Sequence, residues 1–130
     1  MNSEIVSTGL NEIGQIAIAV TNLEKATAFY RDVLGLKHLF CAPPGLSFFG
    51  CGNIRLMLSR PEKADSEQFS AAIYFKVGDI TAAHKLLNGH GVNFEADPHM
   101  VSRMPDHELW LAFFRDPDLN LLALMCDKRN

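Results

Sequence analysis

Cysteine is scarce in this chain: three residues in 130, at Cys41, Cys51 and Cys126. Their spacing makes no metal-finger pattern, and an odd count makes no closed disulfide framework. Reduced thiols and a cytoplasmic location are therefore expected. Basic charge is not in excess either. Twelve Lys and Arg stand against fifteen Asp and Glu, a formal charge of −3, which argues against a nucleic-acid binder. No apolar run approaches the ~20 residues of a membrane helix. The opening stretch, residues 1–11, carries Glu4 and lacks the apolar core of a signal peptide. What remains is 48% hydrophobic and 21% charged, the make-up of an ordinary globular protein. Its length suits one domain, burying roughly two-thirds of its extended-chain surface.

The chain repeats itself. Ile16-Ala17-Ile18-Ala19-Val20 precedes a helical pattern that runs to Gly35. Ile73-Tyr74-Phe75-Lys76-Val77, 57 positions on, precedes another that ends at Gly91. Val20 matches Val77, Leu23 matches Ile80, Ala26 matches Ala83 and Phe29 matches Leu86. Half a chain can hardly bury its own sheet face, so two copies sharing one core are physically sensible. Thr21 or Asn22 can cap the first helix, whose apolar face is Leu23, Ala26, Phe29, Tyr30, Val33 and Leu34. Asp79 can cap the second, with Ile80, Ala83, Leu86 and Leu87 on its face. Strands are expected near 14–20, 36–41, 46–50, 53–59, 70–77, 92–96, 108–115 and 120–126. The expected organisation is one domain over 1–130, with a module near 12–59, a polar linker over 60–69 and a second module near 70–126. The element order is βαβββ, twice.

Three segments give that order a family resemblance: the opening strand from Gly14 to Val20, the helix end Phe29-Tyr30-Arg31-Asp32-Val33-Leu34-Gly35-Leu36, and the closing hairpin Phe113-Phe114-Arg115-Asp116-Pro117-Asp118-Leu119-Asn120-Leu121-Leu122-Ala123-Leu124. Together they resemble the vicinal oxygen chelate superfamily, the glyoxalases, bleomycin-resistance proteins and extradiol dioxygenases. The resemblance implies an α+β fold of two βαβββ modules curved into a mixed-sheet cup, commonly as a homodimer. One departure is Leu119, where the family's Asp-Pro-Asp turn usually continues with Gly. A left-handed backbone would cost leucine about 1–2 kcal/mol, so a different turn is expected there.

Metal-dependent members of the family place four ligands in the cup. The matching positions here are Gln15, Met57, Ala72 and Ala123. Only Gln15 offers an oxygen, alanine offers no donor, and a thioether is too soft for the hard metals of these enzymes. No metal and no other cofactor is expected. Strand alternation turns Gln15, Ala17, Ala19, Arg55, Met57, Ser59, Ala72, Tyr74, Lys76, Leu121, Ala123 and Met125 into the cup, a small apolar floor with Gln15, Arg55 and Tyr74 as polar handles. The stretch from Pro98 to Trp110, expected to be a loop, adds His99, Arg103, His107 and Trp110. A histidine there could move protons and an arginine could clamp an anion. His99 and His107 with Glu108 are the weaker possibility of a metal site outside the family positions. The candidate ligand-binding set is therefore Gln15, Arg55, Met57, Tyr74, His99, Arg103, His107 and Trp110. His38, His84, His90 and the cysteines read as structural.

Three functions compete. One is a metal-free protein that binds a small organic molecule without nucleic acid or membrane, resembling the bleomycin-resistance branch. Another is a lyase or isomerase resembling lactoylglutathione lyase or methylmalonyl-CoA epimerase. A third is an accessory interaction module. The missing ligands disfavour a metal-dependent enzyme and leave catalysis itself open.

Overall fold

The computed structural model describes residues 13–61 and 71–129; the expected opening stretch and most of the polar linker lie outside them. The first module runs β1 (Gln15–Ala19), α1 (Leu23–Ala28), β2 (Lys37–Ala42), β3 (Leu46–Cys51) and β4 (Ile54–Ser59). The second runs β5 (Ile73–Lys76), α2 (Ile80–Gly89), β6 (His99–Arg103), β7 (His107–Arg115) and β8 (Leu121–Arg129). Two four-stranded sheets result, ordered β1-β4-β3-β2 and β5-β8-β7-β6. In each the first strand lies parallel to the last and the other pairs are antiparallel. This is the expected α+β arrangement of two mixed sheets in a cup-like fold.

Local chemistry explains the helix ends. The Asn22 side chain accepts from the Lys25 amide at 3.0 Å, and that of Asp79 from the Ala82 amide at 3.1 Å. Gly35 and Gly91 follow the helices with φ of +79° and +98°, a left-handed conformation that glycine adopts without steric cost. After α1 the helix widens into a π turn over Phe29–Val33, where the Leu34 amide reaches back to the Phe29 carbonyl. That turn seats Tyr30 in the core with no solvent exposure.

A single apolar cluster serves both modules. Ile18, Val20, Phe49, Leu56 and Leu58 meet Ile80, Phe114, Leu122 and Leu124. The alternation read from the sequence holds: Ile18, Val20, Leu56 and Leu58 are buried, while Gln15, Ala17, Arg55 and Tyr74 on the other face are exposed.

One expected strand is corrected. Residues 92–96 form no ladder, only an isolated bridge between Phe94 and Phe114 and a bond from the Glu95 amide to the Phe113 carbonyl at 2.9 Å. The Val92 amide is engaged by the Leu87 carbonyl at the end of α2. Val92 and Phe94 plug the core, so their alternation imitates a strand. The second strand of the second module is instead β6, and the stretch expected to be a loop is the β6–β7 hairpin.

A polar joint ties the modules together. Asp116 is buried and accepts from the Tyr30 hydroxyl at 2.8 Å, the Asp118 and Asn120 amides at 2.9 and 2.8 Å, and the Asn120 side chain at 2.9 Å. Asn120 also donates to the Ala19 carbonyl at 2.8 Å. Thr21 donates to Asp118 from its amide at 2.7 Å and from its hydroxyl. Inside this turn Leu119 has φ of +67° and is 72% exposed. The backbone here is thus left-handed despite the leucine, contrary to expectation, because the ring of bonds to Asp116 fixes it. Replacing Leu119 by Gly should raise the unfolding free energy by about 0.5–1 kcal/mol in urea denaturation, relieved strain outweighing the added unfolded-state entropy. Unchanged or lower stability would contradict it.

Burial first, and the Asp116 carboxylate next, push the Tyr30 phenol far above its ordinary range. The folded state therefore keeps a proton that the unfolded chain releases above about pH 10. This contribution is complete below that pH and is lost above it, at about 1.4 kcal/mol per pH unit. Urea midpoints between pH 8 and 11 should fall more steeply above pH 10 for the native chain than for Tyr30→Phe. Parallel profiles would refute the assignment.

Candidate functional site

On the first sheet β1 and β4 run side by side with Gln15 opposite Arg55 and Ala17 opposite Met57. Period-two alternation puts Gln15, Arg55 and Met57 on the face away from the shared core. The Gln15 amide links the other two. Its Oε1 accepts from Arg55 Nε at 2.8 Å, and its Nε2 donates to Met57 Sδ at 3.7 Å. A guanidinium only donates, so the amide oxygen must face it. Phe48, opposite Met57, lies beneath the Arg55 guanidinium at 5.1 Å. Phe40 stacks on Phe48 at 4.7 Å and is about half exposed.

The second sheet offers a matching aromatic face. Tyr74 lies opposite Ala123 and meets the Phe113 ring edge-on at 5.9 Å. His99, opposite Leu111, has its ring 6.5 Å from Phe113. His107 lies on this face but at the far end of the hairpin. There its Nδ1 is 2.7 Å from Asp106, its Nε2 is 3.8 Å from Asp127, and Arg129 approaches Asp106 at 3.5 Å. The bond to His107 holds the Asp106 carboxyl below its usual range.

Trp110 and Arg103 are on the other side, a correction to their place in the candidate set. Trp110 packs against the shared core because its position in β7 alternates with Leu111 and Phe113. Its indole donates to Glu108 at 3.1 Å, Arg103 pairs with the same carboxylate at 2.9 Å, and the Lys128 ammonium sits 3.9 Å over the ring. The indole bond, with Arg103 and Lys128 nearby, lowers the Glu108 pKa. His107 and Glu108 are on opposite faces, so they do not converge with His99. Among the described residues no three His, Cys, Asp or Glu side chains are grouped to hold a metal.

The structure also joins groups that the sequence kept apart. A bulge between His38 and Phe40 puts His38 and Cys41 on one face of β2. The Cys41 thiol is 3.5 Å from His38 Nε2, which is 3.2 Å from the Ser47 hydroxyl. Ser47 in turn accepts from Thr27 at 3.0 Å. Cys41 borders a cleft of about 530 Å³ between the start of α1 and the β2–β3 turn, with Glu24, Pro44 and Arg60. That cleft shares no residue with the Gln15–Arg55–Met57 group. A bulge leaves no sequence signal of its own, so strict alternation hid the pair. Phe40, Phe48 and Phe113 were missed because each belongs to an apolar run in which both faces are hydrophobic.

The donor set does not fit the family metal. The single oxygen of Gln15 is turned to a guanidinium, so a divalent ion bound there would stand beside a fixed positive charge. Met57 supplies a soft thioether engaged by the same amide. Ala72 and Ala123 supply no donor.

Comparison with known proteins agrees with this architecture. Residues 12–124 match the sequence model of the Glyoxalase/Bleomycin resistance protein/Dioxygenase superfamily. A lactoylglutathione lyase from Agrobacterium tumefaciens superposes with a TM-score of 0.70 at 26% identity, covering 89% of this chain and 93% of that one. A member of the same superfamily from Sphaerobacter thermophilus DSM 20745 gives 0.73 at 25% identity, over 91% and 98%. The mitochondrial methylmalonyl-CoA epimerase of Mus musculus is 40% identical over 62 residues. That match spans 44% of this chain and 35% of the curated relative.

Proposed function

Because the chain belongs to the glyoxalase/bleomycin resistance/dioxygenase superfamily, we propose that it binds a small organic molecule in its cup without the family metal. The observation that carries this reading is the use of Gln15: its amide joins Arg55 to Met57 where related enzymes would gather hard ligands. The exposed Phe40 and Tyr74 add apolar surface of the kind that small molecules cover. The working form is proposed to be a cytoplasmic homodimer. Strands β1 and β2, and β5 and β6, end their sheets, and the exposed Leu39 on β2 is surface that a second copy can cover.

A lyase or isomerase is the second reading, favoured by the likeness to the lyase from Agrobacterium and to the murine epimerase. In that case chain groups such as Tyr74 and His99 would do the acid–base work.

Elemental analysis after dialysis, with a thermal-shift screen of metabolites with and without divalent metals, tests the first reading. Well under one equivalent of Zn, Ni, Fe or Mn is expected, with ligand shifts unaffected by chelator. A full equivalent that persists in the His99→Ala, His107→Ala double variant and is required for ligand binding would overturn it.

A further inference from the structure

We propose that Arg55 supplies the fixed positive charge of the cup in place of a metal, and that the site takes an aromatic carboxylate. The inference rests on the binding reading above and goes beyond it by naming the ligand's chemistry. Its basis is a guanidinium held by a neutral amide and an aromatic ring. Strands β1 to β4 contain no Asp or Glu. Elsewhere Arg31 pairs with Asp32, Arg103 with Glu108, Arg115 with Glu95 and Arg129 with Asp106, while Arg60, at the separate cleft beside Cys41, shares with Arg55 the lack of an ion pair among the described residues. Arg55 has no carboxylate partner among the described residues.

Its side chain is nonetheless held. Nε is bonded to Gln15 at 2.8 Å and the guanidinium lies 5.1 Å over the Phe48 ring. Stacked and tethered this way, the fork loses little further freedom on binding, and its two terminal nitrogens match the spacing of a carboxylate. A carboxylate would add a charge-assisted pair to this guanidinium that a neutral ligand does not supply.

The aromatic half of the inference comes from the surroundings. The Phe48 ring lies under Arg55 and carries Phe40 stacked on it, with Phe40 nearly half exposed. Rings present faces and edges that a planar ligand can stack on. A charged head on Arg55 and a ring against these side chains satisfy both features at once.

Isothermal titration of the chelator-dialysed full-length protein with benzoate, phenylacetate and 1-naphthoate, against benzamide, phenylacetamide and 1-naphthamide, tests this. The acids should bind at least about tenfold more tightly than their amides, the scale of one charge-assisted contact. Arg55→Met should abolish that preference, and Arg55→Lys should retain part of it. Arg55 is exposed, and circular dichroism of the variants checks that the fold persists. Equal binding of acid and amide, or an acid preference that survives Arg55→Met, overturns the inference and leaves the binding reading standing. Binding of neither series, or of either only after metal is restored, overturns both.

Discussion

Asp116→Ala is expected to lower the unfolding free energy by about 3–5 kcal/mol, among the largest effects of any single substitution. Four donors converge on this carboxylate: the Tyr30 hydroxyl, two backbone amides and the Asn120 side chain. Alanine leaves the Tyr30 hydroxyl without an acceptor in a position closed to water, where each unsatisfied group costs about 1–3 kcal/mol. The amides lose their acceptor too, but the turn can open enough for water to reach some of them, which limits the loss. Tyr30→Phe should cost less, about 1–2 kcal/mol, because three donors remain on Asp116. Urea denaturation monitored by circular dichroism measures both. A loss below about 1 kcal/mol for Asp116→Ala would mean that the joint contributes no more than an ordinary surface turn.

Phe114→Ala is expected to cost about 3–5 kcal/mol by emptying a large volume in a core that can relax only in part. The ring is fully buried in the cluster shared by both modules. It packs against Phe94 at 5.2 Å, which in turn lies 4.3 Å from His84 of α2. Since the 92–96 segment has only a bridge at Phe94 and one amide bond at Glu95, it should loosen first. Hydrogen exchange at the Glu95 amide should accelerate more than exchange within β8. Stability within about 1 kcal/mol of the native chain would show that the neighbouring side chains collapse into the space.

How much of this was legible beforehand depended on whether a pattern was tied to backbone geometry. The doubled βαβββ order was readable because caps such as Asn22 and Asp79, the glycines after each helix and the period-two burial of Ile18 and Val20 all reflect local backbone demands. The facing of Gln15, Arg55, Met57 and Tyr74 followed from the same alternation. β6 was hidden because His99-Met100-Val101-Ser102-Arg103 is a bulged edge strand, largely exposed on both faces, and so carries no alternating signature. Shifting the strand to 92–96 turned a hairpin into a loop, and with it went the facing of Arg103 and Trp110. The link from Gln15 to Arg55 could not be read at all, since the two are 40 residues apart and only the parallel register of β1 on β4 brings them together.

The joint at Asp116 also bears on time. Its bonds span 86 residues to Tyr30, 97 from Asp118 to Thr21 and 101 from Asn120 to Ala19. Contacts so distant along the chain form only after both modules have closed, late on the folding route. They therefore scarcely speed folding and instead slow escape from the native state. The turn should act as a latch: opening it is expected to raise the unfolding limb of a chevron far more than it lowers the refolding one, so a handful of polar atoms between the halves would slow the chain's unfolding.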